Sequence, residues 1–294
     1  VARTIRADAS ASIAALIAAY ANELAARRHR ALVGFALLAV GVAIACWTAE
    51  IRPLVFFDHI GNFFSYVAGL FVLDTGASVF SNPTEWYWGL LKWSRLLLDT
   101  LLIAYVGTLL GAALGFALCF VSARNLMRSA WTCALMRRFL EFGRTVPDIV
   151  FALIFVGAFG LGPVPGVLAI ALHTTGALGK LFAEVVENID MKPVEGIAAA
   201  GGTWLQQVRF GVLPQVQSNF VSYALLRFEV NVRSAGVLGF VGAGGIGMTL
   251  MVSIRKFYAS DVSAMLLMII ATVMLIDYGT EKLRHRLIGE EHRA

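Results

Sequence analysis

From Thr100 to Val121 the chain reads TLLIAYVGTLLGAALGFALCFV, a run without a single charge. An α-helix needs roughly 20 apolar residues to cross a hydrocarbon core about 30 Å thick, and this run has that length. No water reaches backbone groups there, so a helix, which satisfies them internally, is the form the run takes. Composition agrees with a membrane reading: 59% of the 294 residues are hydrophobic and 15% are charged, where an ordinary soluble domain has about 25% charged residues. The mean hydropathy is +0.75.

Upstream, Ala31 to Ala49 is a second uncharged run, preceded by Arg27, Arg28, His29 and Arg30. The positive-inside rule then predicts a cytoplasmic N-terminus. In residues 1–30, Ile5, Ile13, Leu16, Ile17, Tyr20 and Leu24 recur at spacings near three and four, which predicts an amphipathic helix on the membrane surface. No cleavage pattern follows the first apolar run, so that run is expected to stay as an anchor. Residues 50–99 mix acids, prolines and aromatics, among them Phe56, Phe57, Trp86, Tyr87, Trp88 and Trp93, as an external loop with interfacial aromatics would. The apolar piece Phe63 to Leu73 is too short to span.

Downstream, residues 122–144 carry Arg124, Arg128, Arg137, Arg138 and Arg144 against Glu141 and read as a cytoplasmic loop. Between Arg144 and Glu187 there is room for two crossings, with the turn expected at Gly162-Pro163-Val164-Pro165-Gly166. Residues 187–215 are polar and return to the inside. A fifth span is expected over Gln217 to Ser234, and a bent or re-entrant outer segment over 235–254, whose glycines permit turns and close packing. The last span, about Val262 to Tyr278, is followed by Lys282, Arg284, His285 and Arg286, which place the C-terminus in the cytoplasm. The reading is an all-α integral membrane protein of about six transmembrane helices. It divides into an N-terminal cytoplasmic segment (1–30), a first span with its external loop (31–95), a core (96–285) and a cytoplasmic tail (286–294).

The net charge of +5 does not point to nucleic acid, because the basic residues gather beside apolar runs, where they act as orientation signals. Cys46, Cys119 and Cys133 have neither CxxC spacing nor a histidine nearby, so packing rather than metal binding is expected.

The inner loop carries Glu195-Gly196-Ile197-Ala198-Ala199-Ala200-Gly201, then Leu213-Pro214. This resembles the EAA loop of ABC importer permeases, in which Glu-Ala-Ala is followed after three residues by Gly, then after nine by Ile-x-Leu-Pro. Glu195, Gly201, Leu213 and Pro214 fall at the matching spacing, while Gly196, Ile197 and Gly211 depart from it. Two short helices broken at a small residue can seat in a groove on a partner, and Pro214 is expected to start the next helix. Further strings, among them His173-Thr174-Thr175-Gly176, Gly211-Val212-Leu213-Pro214-Gln215-Val216 and Val241-Gly242-Ala243-Gly244-Gly245-Ile246-Gly247, are similar to the phosphonate importer permease family over about residues 95–285.

That resemblance implies a type I (MetI-like) permease fold in a bacterial inner membrane and a homodimer of permeases. It also implies two cytoplasmic ATPase subunits on the loop and a periplasmic or surface-anchored phosphonate-binding protein. ATP and Mg would sit on the ATPase; this chain has no GxxxxGK[ST] sequence. The expected coupling residues are Glu195, Gly196, Ala199, Gly201, Leu213 and Pro214.

Within the fifth span, Arg227, Glu229, Asn231 and Arg233 place polar and ionisable groups where lipid would make them costly, so they are expected to face protein or a water-filled path. Either the arginines meet a passing oxyanion, or Glu229 pairs with one of them to hold helices in register. His173 either lines the same path or packs as a neutral, hydrogen-bonded side chain. Asp148 is expected to cap the helix after Pro147. Gly242, Gly244, Gly245 and Gly247 match GxGxxG, but no βαβ context surrounds them; the resemblance assigns them to an outer gate.

An intramembrane enzyme would need a nucleophile and base within the spans; neither GxSxG nor HExxH occurs. A secondary transporter is expected to show repeated halves, and none is visible. Within the ABC reading the alternative is another small solute, such as methionine.

Overall fold

The computed structural model describes residues 2–50, 53–73, 75–127 and 129–291, with the side chains of 2–19, 21, 53, 54, 56 and 287–291 left outside the description. The chain forms two compact units, Val1–Tyr66 and Val67–Ala294. The first is built on α1 (Ala2–Thr48), one unbroken helix, and most of α2 (Pro53–Gly69). Within α1, Asn22–Thr48 is long and apolar enough to cross a membrane. The apolar face expected over residues 5–17 lies outside the described side chains.

The regular elements of the second unit are helices among its described residues, apart from one isolated bridge between Val72 and Ser78. A short helix, α3 (Pro83–Trp86), leads to α4 (Leu90–Ser122), which contains the diagnostic run. Then follow α5 (Ala130–Thr145), α6 (Asp148–Phe159) and α7 (Pro163–Glu187). α4 and α7 form the central pair, and glycine sets their separation. A Cβ on Gly111 would lie 2.6 Å from Thr174 Cβ, and one on Gly107 2.7 Å from Ile170 Cγ2, so larger residues would force the helices apart. α4, α7 and the last helix, α12 (Ala259–Glu291), are each long and apolar enough to span.

Residues 122–144, expected as a loop, contain α5 instead. Arg137 and Arg144 lie on one face and Trp131, Leu135, Phe139 and Phe142 on another, with Arg138 at the border between them, so charge density disguised an amphipathic helix. The chain bends by 88° between α5 and α6. The two crossings expected between Arg144 and Glu187 are unequal: α6 has 12 residues, about 18 Å, and α7 has 25. The turn is Gly160 to Gly162, with Gly160 at φ +84° and Gly162 at φ +145°, and Pro163 and Pro165 already lie in the first turn of α7, where a missing N–H costs nothing.

After α7 come α8 (Lys192–Ala199), α9 (Trp204–Gln206), a π-helical segment Gln207–Val212 and α10 (Leu213–Leu238). A 3-10 turn, Gly239–Val241, and a glycine-rich bend lead to α11 (Ile246–Arg255), and Trp204–Val241 meets α11 at a bend of 48°. The fifth span thus runs on to Leu238 instead of ending near Ser234, and only the remainder of 235–254 forms the bent segment. With four single helices and two bent pairs, up to six spans are present among the described residues.

Trp86 and Trp93, expected at an interface, are buried at 7% and 2% exposure. Trp86 Nε1 donates to Ser260 O and Ser263 Oγ, both at 3.1 Å, and Trp88 Nε1 donates to Asp261 Oδ1 at 2.8 Å. These tryptophans therefore fasten the segment before α4 to the start of α12. Cys119 and Cys133 are buried and free, as packing residues would be.

Candidate functional site

The loop between α7 and α10 is a compact arm. Val194 of α8 is 3% exposed and packs with Val208 and Val212 of the π segment and Phe182, Val186 and Phe220 of the flanking helices. That anchors one face of α8 and leaves Glu195, Gly196, Ala198 and Ala199 exposed on the other. Gly201, at φ +83°, turns the chain out of α8, a backbone region that disfavours side chains. Thr203 and Gln206 then form a capping box that starts α9, the Thr203 N–H donating to Gln206 Oε1 at 2.7 Å.

Gly211, which departs from the family pattern, has a packing reason here. A Cβ on it would lie 3.0 Å from Val194 Cγ2 and 3.1 Å from Val194 Cα, so this glycine lets α8 settle onto the π segment. Pro214 lies in the first turn of α10, as expected. It sits within a continuous helical path from Trp204, and the wider π turn precedes it where its missing N–H leaves the ladder one bond short. Gln215 Nε2 donates to the Gly211 carbonyl at 2.6 Å and to the Asp190 carbonyl at 3.1 Å, while the Asp190 N–H donates back to Gln215 Oε1 at 3.1 Å. Gln215 thereby ties both ends of the arm together, a role that its side-chain type alone does not announce.

The polar residues of α10 separate into three kinds. Asn231 is 1% exposed; its Nδ2 donates to Thr108 Oγ1 at 2.8 Å and Thr174 Oγ1 at 2.9 Å, joining α10 to α4 and α7. It ties three helices together. Glu229 accepts from Thr280 Oγ1 and pairs with neither Arg227 nor Arg233; Arg233 pairs with Asp277 of α12 instead. Arg227 is different. Among the described residues it makes no ion pair, and its one side-chain contact of hydrogen-bond type is a long 3.5 Å approach of Nε to Thr174 Oγ1. His173 is half-buried with Nδ1 3.0 Å from the Val146 carbonyl. Asp148 Oδ1 accepts from the Ile149 N–H at 2.9 Å at the start of α6.

The glycine-rich bend packs against the turn between α6 and α7. The Gly162 N–H donates to the Gly242 carbonyl at 3.0 Å, and a Cβ on Gly166 would lie 2.7 Å from the Ala243 carbonyl. Gly242, Gly244 and Gly245 all have positive φ, and the Ile246 N–H donates to Thr100 Oγ1 at 2.9 Å. Gly247 packs on the Gly236 carbonyl so closely that no side chain fits. No group of three metal-ligating side chains occurs among the described residues.

Sequence reading missed Asp277, Thr108 and Thr280, the partners of the α10 side chains. Asp277 was visible as a lone acid within an apolar run; the two threonines carried no such signal.

A family model described as the binding-protein-dependent transport system inner membrane component matches residues 107–278. The phosphite transport system permease protein of Stutzerimonas stutzeri is 42% identical over 196 residues, covering 67% of this chain and 71% of that protein. The putative cryptic phosphonate transport system permease protein of Escherichia coli (strain K12) is 51% identical over 121 residues, 41% of this chain and 99% of that protein. Among solved structures, an inward-facing conformation of the MetNI methionine ABC transporter aligns over 70% of this chain and 98% of that one, with a TM-score of 0.57 at 19% identity, a likeness of fold. The type I permease fold expected from the arm is therefore the fold present, and the chain belongs to the family of inner membrane components of binding-protein-dependent transport systems.

Proposed function

We infer that this chain is the permease of an ATP-driven importer of phosphonate or a related phosphorus oxyanion, phosphite or phosphate. The observation that carries this reading is its 42% identity, over two thirds of its length, to a permease named for phosphite. The methionine alternative has weaker support, a likeness of fold and 23% identity over 179 residues to a probable D-methionine transport permease of Vibrio cholerae. A permease of this kind is not itself an ATPase; ATP and Mg belong to two cytoplasmic partner subunits, and an external binding protein delivers the ligand.

The arm supplies the docking surface for the ATPase. Its exposed side carries small residues on α8, and Leu205 and Phe210 stand exposed beside them. An ATPase seated there would move α8, and the tight fit of Gly211 on Val194 would pass that movement directly to α10. Arg227 is the side chain best suited to meet the oxyanion, because among the described residues no carboxylate lies within ion-pair distance of it and Asp148 acts on it only from farther away. A weak, transient contact suits a path, which must release what it binds. The glycine-rich bend at Gly242 to Gly247 serves as the outer gate in this reading, two permease copies enclose the path, and both termini lie in the cytoplasm.

Uptake of labelled phosphite or methylphosphonate into proteoliposomes, with the ATPase and binding protein present, tests the reading. Arg227→Gln is expected to cut uptake at least tenfold while the complex still assembles, and Arg227→Lys to restore part of it. Unchanged uptake by Arg227→Gln would remove Arg227 from the path. Uptake of no phosphorus oxyanion by an assembled, ATP-hydrolysing complex would remove the substrate class.

A further inference from the structure

Helix α5 presents three faces. One holds Cys133, Leu140 and Gly143, all buried; a Cβ on Gly143 would lie 3.2 Å from the Leu172 carbonyl, so this face is pressed onto α7. A second face is apolar yet uncovered: Trp131 is 88% exposed, Leu135 64%, Phe139 45% and Phe142 59%. Their spacing of four, four and three makes one stripe along the helix. The third face is basic. Arg137, Arg138 at the border with the apolar stripe, and Arg124 from the segment after α4 line a cavity of about 330 Å³ that holds a single carboxylate, Glu141.

The charges of that cavity are only partly spent within the protein. Arg137 pairs with Glu187, and Arg138 pairs with Glu141, which also accepts from Lys180 at 3.3 Å. The Arg124 guanidinium makes no hydrogen bond or ion pair among the described residues; the bond that Arg124 does make, 2.7 Å to Glu187 Oε1, comes from its backbone N–H. Positive charge therefore exceeds negative at the cavity wall.

The 88° bend between α5 and α6 gives the three faces a common meaning. Where the short α6 enters the bilayer, the bend lays α5 along the surface, with one face on protein, one toward acyl chains and one toward headgroups. Tryptophan is favoured at that depth. Basic cavities beside membrane helices, on the side facing the cytoplasm, attract anionic headgroups.

We propose that α5 and Arg124 form a binding site for an anionic phospholipid, its phosphate in the arginine-lined cavity and its acyl chains along the Trp131–Phe142 stripe. The lipid belongs to the leaflet on the side of the α8–α9 arm. A free oxyanion would occupy the cavity and leave the stripe bare. A second copy docked through this face would bring like charges together. This inference rests on the membrane location of the family and not on the identity of the transported solute.

The test uses the whole complex in nanodiscs of phosphatidylcholine containing either brominated phosphatidylglycerol or brominated phosphatidylcholine. The Trp131 component of fluorescence is obtained by difference from Trp131→Phe. Brominated phosphatidylglycerol is expected to quench it more strongly at equal content, and added salt to reduce the excess. The double variant Arg124→Gln, Arg138→Gln should weaken the excess affinity by about tenfold or more, since each arginine near an anionic surface is worth roughly a factor of five. Equal quenching by the two lipids overturns the proposal. Loss of the excess on adding inorganic phosphate assigns the cavity to a soluble anion instead. Absence of quenching by either lipid, with a disulfide-linked dimer formed by Trp131→Cys, assigns the face to a second copy. If the double variant fails to assemble, the salt dependence of the native complex decides.

Discussion

The Nη2 of Arg233 lies 2.8 Å from both carboxylate oxygens of Asp277, so one guanidinium nitrogen holds α10 to α12. The side chains are 50% and 39% exposed. In water such a pair contributes about 0–1 kcal/mol, but beside lipid an orphaned charge is costlier. Arg233→Ala and Asp277→Ala should each lower the yield of assembled complex, and the exchange Arg233→Asp with Asp277→Arg should recover most of it. Single variants that assemble and transport normally would show that the pair holds nothing.

Asn231 is the second tie, and it is buried. Asn231→Leu removes two hydrogen bonds to threonines on different helices, and each such bond in a membrane protein is worth about 0.6 kcal/mol. The purified complex is expected to melt lower by a few degrees, with transport reduced less than by Arg227→Gln. A transport loss equal to that of Arg227→Gln at unchanged melting would instead place Asn231 in the path.

The α4–α7 contact is set by glycine, so size alone should break it. Gly111→Val drives a side chain into Thr174, whose Cβ would lie 2.6 Å from the new Cβ. Loss of assembled protein is expected, whereas Gly157→Val, with nothing within 4 Å of its Cβ, should assemble normally. Size-exclusion profiles of the two variants make the comparison.

At the arm, Gly201 and Gly196 separate backbone strain from bulk. Neither has an atom within 4 Å of a built Cβ, but only Gly201 has positive φ. Gly201→Ala should destabilise the arm by about 1–2 kcal/mol and weaken coupling; Gly196→Ala should do neither. Gly201→Trp adds bulk where the ATPase docks and should abolish transport while the permease still folds. ATPase retained on the permease during purification reports the contact, and uptake reports coupling.

The spans were legible because length and absence of charge are one-dimensional signals: the Thr100–Val121 and Val262–Tyr278 runs reappear as the cores of α4 and α12. The arm was legible through the spacing of Glu195, Gly201, Leu213 and Pro214. What sequence concealed was direction and pairing. Five arginines between 122 and 144 read as a loop because a linear count does not see that Arg137 and Leu135 point to different sides of α5. The bend at Val146-Pro147 shortened α6 in a way that residue counting could not anticipate. Arg233 chose Asp277, 44 residues away, over Glu229 on its own helix, four residues back. At that spacing the two side chains are neighbours on one helix face, so only the approach of α12 decides between them.

The most direct measurement is ATP hydrolysis by the chain reconstituted with its ATPase and binding protein, without ligand and with methylphosphonate, phosphite or phosphate. A permease for phosphorus oxyanions gives stimulation by at least one of the three, and the strongest names the ligand. Hydrolysis indifferent to all three, in an intact complex that responds to a different solute, would contradict the substrate assignment.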